Sequence, residues 1–154
     1  MALVVQTAEG VTGANSYVSL ADARSIATLN GWTVSADDAE LEADLRAAMI
    51  YLESMSYQGA RDTAELSFPR LYLYVDGFGL DPIPSEIVTA QVRLASLNNS
   101  KPILPETSKR RKSFRLEGVY SEELFEPTTI RQFSDVDALL SRLTRRSRPE
   151  VGRV

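Results

Sequence analysis

Apolar residues recur at three- to four-residue spacing in four windows of the chain, with turn formers between them. In the first, Leu20, Ala23, Ile26 and Ala27 make one stripe. Ser19 precedes it with Asp22 three residues on, a capping-box arrangement, and Asn30-Gly31 supplies a stop, so a helix is expected over 20–29. Trp32, directly after the stop, is expected to plug the core between two helices. The second window is the clearest: Leu41, Leu45, Ala48, Leu52 and Met55, with Ser35 as N-cap and Asp38 three residues later. Its acidic residues Asp37, Asp38, Glu40 and Glu42 suit the positive end of a helix dipole. A solvated face explains them better than a metal site does. A third helix is expected over 85–98, with Pro84 at its start and Ile87, Val88, Val92, Leu94 and Ala95 on its apolar faces. A fourth is expected after Ser134, with Asp137 as box partner and Val136, Leu139, Leu140 and Leu143 as stripe. Arg142, Arg145 and Arg146 would load its last turn, where cations complement the dipole.

The intervening stretches carry weaker signals. Residues 3–6 fit a short strand or an ordered arm. Residues 56–84 read as irregular, with a short strand or ordered loop over 70–75 and a turn at Asp76-Gly77. Residues 100–113 read as a linker or an exposed loop, with two prolines and a basic cluster. Residues 113–125 read as a hairpin or strand, with Phe114, Leu116 and Tyr120 on one parity. The end of the chain reads as an extended tail. The expected fold is therefore mainly α: a small bundle of about four helices with a β-hairpin or extended loops and a C-terminal arm. One domain is expected, with a helical core over 1–100, a basic loop and hairpin or extended segment over 101–133, and a C-terminal helix and tail over 134–154.

Composition narrows the chemistry. At 154 residues the chain can hold a core without staples. No apolar run approaches the roughly 20 residues of a membrane helix. The opening MALVVQTAEG lacks the basic flank and long apolar core of a signal peptide, and no membrane partner is expected. The absence of cysteine excludes disulfides and thiolate nucleophiles. The absence of histidine removes the usual general base, the usual zinc ligand and the serine-protease type of triad. EGVTGANS lacks the Gly-Lys-Ser/Thr ending of a phosphate loop, and no dinucleotide fingerprint is present. Neither catalysis nor a cofactor or metal is expected.

Charge is divided unevenly. Residues 1–100 hold five Lys/Arg against thirteen Asp/Glu, a net −8. Residues 101–154 hold twelve against eight, a net +4, and together they give the −4 of the whole chain. Such a division suggests surfaces of opposite sign that meet different partners or each other. The candidate partner-binding residues are the cluster Lys109, Arg110, Arg111, Lys112 and Arg115, and the C-terminal Arg142, Arg145, Arg146 and Arg148. The cluster fits a solvated loop tip, a contact with an acidic protein surface, or a phosphate grip. Only Phe114 stands beside it as an aromatic, which is thin for base stacking. The arginine-rich end fits a free tail or an arm that orders on docking.

The order of these pieces carries a resemblance. ANSYVSLADA comes first, then Trp32 after the Asn-Gly stop, AAMIYLESMSYQG, LSFPR and IPSEIVTAQVRLA. This order resembles a family of tailed-phage and prophage proteins often labelled DnaT-like single-stranded DNA-binding proteins, which look similar to head–tail connector (adaptor) proteins. The matching positions include Asn15, Ser16, Tyr17, Leu20, Ala21, Asp22, Ala23, Tyr51, Leu52, Gly59, Pro69, Arg70, Ile83, Pro84 and Ile87. Phe68 stands where the family usually has tryptophan, and Ser25-Ile26 where an aromatic often follows. The resemblance implies a helical structural virion protein at the capsid–tail junction, assembled in the host cytoplasm. It implies a closed ring of about twelve copies under the portal protein. Such a ring would extend the DNA channel, let double-stranded DNA pass without specific binding, and meet a tail, stopper or neck protein. The alternative is a phage single-stranded DNA-binding module.

Overall fold

Residues 2–62, 65–75, 77–99 and 133–144 are described by a computed structural model. The first helix, α1 (Leu20–Asn30), is specified at both ends by its neighbours. Ser19 Oγ accepts the Asp22 amide at 3.2 Å and donates to the Asp22 carboxylate at 2.6 Å, which satisfies one of the free amides of the first turn. At the other end Gly31 turns left-handed, with φ 68°, and the Trp32 amide donates back to the Ala27 carbonyl at 2.8 Å. Trp32 is then held, half-buried, against the core beside Val34.

Helix α2 spans Asp38–Glu53 and buries Leu41, Leu45, Ala48, Met49 and Leu52. Its cap is Asp37, not the expected Ser35: Asp37 Oδ1 accepts the Glu40 amide at 3.0 Å. Ser35 stands too early to reach the first turn's amides. It donates instead to the Glu40 carboxylate at 2.7 Å and accepts the Asp37 amide. Met55, expected on the helical stripe, lies just past the helix end.

Helix α3 (Ser85–Asn98) is the wall shared by the two apolar clusters. Ile87, Ala90 and Leu94 face the larger one, with Leu52, Tyr57, Phe68 and Leu73. Val92 and Ala95 face the smaller, with Ala23, Ala27, Leu41 and Leu45. Each large aliphatic side chain enclosed in this way stabilises the fold by roughly 1.5–3 kcal/mol.

Helix α4 (Ser134–Leu140) returns to pack on α3, with Val136, Leu140 and Leu143 fully buried. The capping box expected from Ser134 and Asp137 does not form, because Ser134 is already inside the helix and Phe133 is at the N-cap. The Phe133 ring instead meets Tyr51 edge-on at 5.3 Å. The helix stops at Leu140, so Arg142 lies beyond it and not in its last turn.

Two antiparallel hairpins join α2 to α3, in keeping with the expected β-hairpin, and β2 and β3 fall within the short strand or ordered loop expected over 70–75. Strand β1 (Ala60–Arg61) pairs with β2 (Arg70–Leu71), and β3 (Tyr74–Val75) with β4 (Phe78–Gly79). The hairpin expected over 113–125 lies outside the described residues. Near the start of the chain, Val5 makes one parallel bridge to Ser16.

Candidate functional site

The ordered motifs meet in space. Tyr17 donates its hydroxyl to Glu53 Oε1 at 2.7 Å and accepts the Phe68 amide on the same oxygen at 3.1 Å. Glu53 Oε2 accepts the Ser67 amide at 2.8 Å. The Tyr17 amide donates to Gln91 Oε1 at 2.9 Å. The Gln91 Nε2 group donates to Ser16 Oγ and to the Leu45 carbonyl, at 2.9 and 3.1 Å. Asn15 Oδ1 accepts the Val4 amide at 2.8 Å and so ties the N-terminal segment to the same junction. One segment before α1, the end of α2, the chain before β2 and the middle of α3 are thereby fastened together.

Arg70 closes the other side. Its guanidinium donates to the carbonyls of Tyr57, Gln58, Gly59 and Ser67 over 2.6–3.2 Å, and lies about 6 Å from the Tyr57 and Phe68 ring centres. Gly59 is required here: its φ is 73°, and a Cβ would come within 2.5 Å of the Leu71 carbonyl oxygen. Burial first, then the hydrogen bond to Glu53, push the Tyr17 phenol far above its ordinary pKa. Burial and the Glu53 charge push Tyr57 the same way. A phenol held neutral and already bonded to a carboxylate is a fixed donor, so the junction acts as a clasp for the fold.

The candidate partner-binding residues divide. Lys109, Arg110, Arg111, Lys112, Arg115, Arg145, Arg146 and Arg148 lie outside the described residues. Arg142 is exposed, and its backbone carbonyl accepts a hydrogen bond from Gln58 Nε2 at 3.1 Å. The acidic start of α2 stays at the surface, and Asp38 pairs with Arg24. Among the described residues, no group of three or more acidic side chains is placed to hold a metal ion, and no helix is long and apolar enough to cross a membrane.

The sequence reading missed a surface feature. Leu71, Tyr72, Tyr74 and Phe78 are four of the six exposed large hydrophobic residues among the described ones, and they stand on the two hairpins or, for Tyr72, on the link between them. The alternation in LYLYV, followed by Asp-Gly and a further aromatic, was the available signal for a tight hairpin with outward rings.

No curated protein and no solved structure matches the chain. A family model matches all of it, residues 1–154, and that family is described as "Putative DnaT-like ssDNA binding protein". The chain belongs to this DnaT-like family.

Proposed function

We propose that the protein binds single-stranded DNA, and membership of this family is the observation that carries the reading. The family's description favours this alternative over the adaptor. Charge decides where the contacts would lie. The described residues hold six Arg against fourteen Asp/Glu, a net −8, so the remainder of the chain carries +4. Phosphate contacts then fall to Lys109, Arg110, Arg111, Lys112 and Arg115, with Arg142, Arg145, Arg146 and Arg148 in support. Fluorescence anisotropy of a labelled oligothymidine, titrated over a salt series, tests it. Replacing Lys109, Arg110, Arg111 and Lys112 by serine should weaken binding at least about tenfold and flatten the logarithmic salt slope by about 0.7 per lost contact. Absence of salt-dependent binding by the intact chain would sink the proposal.

The acidic body favours a second reading, the head-to-tail adaptor: a ring of copies at the capsid–tail junction, between the portal and a tail, stopper or neck protein. Acidic walls repel duplex phosphate and keep it sliding. Basic segments complement acidic surfaces of neighbours. Capture by the portal without affinity for oligothymidine would select this reading. Under both, the chain has no catalytic role and needs no cofactor.

A further inference from the structure

Resting on the single-stranded DNA reading, we infer that Tyr72, Tyr74 and Phe78 form a base-stacking site, separate from the basic residues assigned to the phosphates. The three rings fall within one short stretch of chain and are 74%, 58% and 76% exposed. Every base carries a flat π-face whatever its identity, and an exposed aromatic ring is the side chain that matches it. The basic cluster lacks this component, with Phe114 alone beside it.

The rings stand on a stiff mount. Arg70 is fastened to four carbonyls and Leu73 is buried, so the chain is fixed on both sides of Leu71 and Tyr72. The missing Cβ of Gly59 leaves room for that step, since it would stand 2.5 Å from the Leu71 carbonyl oxygen and 3.3 Å from that of Tyr72. Tyr72 is the one non-glycine residue with positive φ among the described residues, at 57°, a conformation that costs a side chain and clusters at functional positions. The Leu80 amide donates to the Leu73 carbonyl at 2.9 Å and closes the base of the second hairpin. Rings fixed in place before binding lose little freedom when a base lands on them.

Shape selects bases over a protein surface. Tyr74 pairs with Gly79 and Val75 with Phe78, so the Tyr74 and Phe78 rings project from opposite faces of one ribbon. Rings that point apart do not make the continuous ~800 Å² that each partner brings to a stable protein interface. Stacking makes no such demand, because one base needs one ring face. A single strand crossing the ribbon tip can place a base on each side of it. The described cations on the first hairpin are turned to internal partners: Arg70 to its carbonyls, and Arg61 to Ser67 Oγ and the Glu53 carboxylate. The site therefore adds affinity through ring faces and not through charge.

The test is anisotropy of the full chain with labelled oligothymidine and with an abasic oligomer of the same length, each over a salt series. Tyr72→Gly and Phe78→Leu should each weaken oligothymidine binding at least about fivefold and leave the salt slope unchanged, because stacking releases no counterions. Phe78→Trp should keep the parental affinity. All three variants should bind the abasic oligomer as the parent does, which separates a lost stacking face from a lost fold. Salt-dependent binding by the parent, with ring variants indistinguishable from it, would overturn this site and leave the DNA reading standing. A parent without salt-dependent binding would overturn both. Phe78→Leu binding as tightly as Phe78→Trp would show an apolar contact of another kind and would overturn the site as well.

Discussion

The Tyr17 hydroxyl and the Glu53 carboxylate meet at 2.7 Å across 36 residues of chain, and the same hydroxyl receives the buried Phe68 amide. Tyr17→Phe keeps the ring and its edge-on contact with Phe68 but strands both the amide and one carboxylate oxygen. Leaving such a group without a partner costs about 1–3 kcal/mol, and more when it is charged. Urea denaturation should show a loss of at least about 1 kcal/mol with an unchanged m-value. Wild-type stability in Tyr17→Phe would show that the clasp contributes nothing.

Gln91 should be harder to replace than its size suggests. It is fully buried on α3 and bonds Tyr17, Ser16 and Leu45 at once. Gln91→Leu preserves volume and helix propensity but orphans the Tyr17 amide, so about 2 kcal/mol or more should be lost in the same denaturation assay. Gln91→Glu should fare no better, since it brings an unpaired charge to a buried site facing the Leu45 carbonyl.

The chain just past α4 still belongs to the core. Leu143 is fully buried, and the Gln58 amide and side chain bond the carbonyls of Leu143, Arg142 and Thr144. Removing 142–154 therefore cuts into the core and should cost about 2–5 kcal/mol, as deleting a buried leucine does. Removing only 145–154 keeps Leu143 and the carbonyls that hold Gln58, so it should cost less than removing 142–154, and the difference measures what 142–144 contribute. Equal melting temperatures for the two truncations would refute that contribution.

Local signals were legible in the sequence where one residue type satisfies a helix end by itself. Ser19 and Gly31 sit where the pattern placed them because cap chemistry acts over three or four residues. Ser35 misled because Asp37, two residues on, caps equally well and stands closer to the free amides. A short strand was legible within 70–75, where β2 and β3 lie, but strands of two residues are too short for a period-two pattern to fix their pairing, so the two separate hairpins and their outward rings were not read. Gln91 reads as a stray polar residue on an apolar helix. Its role depends on Tyr17, 74 residues away, and no local pattern encodes that meeting. The family motifs were visible as a sequence order, but their convergence on one clasp emerged only in three dimensions.

Two carboxylates should shape the acid response in opposite directions. The hydrogen bond and charge of Arg93, whose guanidinium also lies over the Trp32 ring at 5.2 Å, hold Asp135 below the usual carboxylate range. A depressed folded pKa means stability that is present above the unfolded value and is lost as pH falls through the folded one. Asp44 is shifted upward, mainly by burial, against the favourable bond from Asn98 at 2.6 Å. Its folded state binds the proton more tightly, so its penalty applies above the raised pKa and fades as pH falls through it. Melting temperatures recorded from pH 7 down to pH 3 should therefore respond differently in two variants. Asp44→Asn should raise the melting temperature at neutral pH, by less than about 1 kcal/mol in stability because the site is partly screened, and the gain should shrink on acidification. Asp135→Asn should lower it at neutral pH and converge with wild type at the acid end. The opposite slopes are the test: a gain from Asp44→Asn that grows toward low pH would show that its charge is welcome in the folded state.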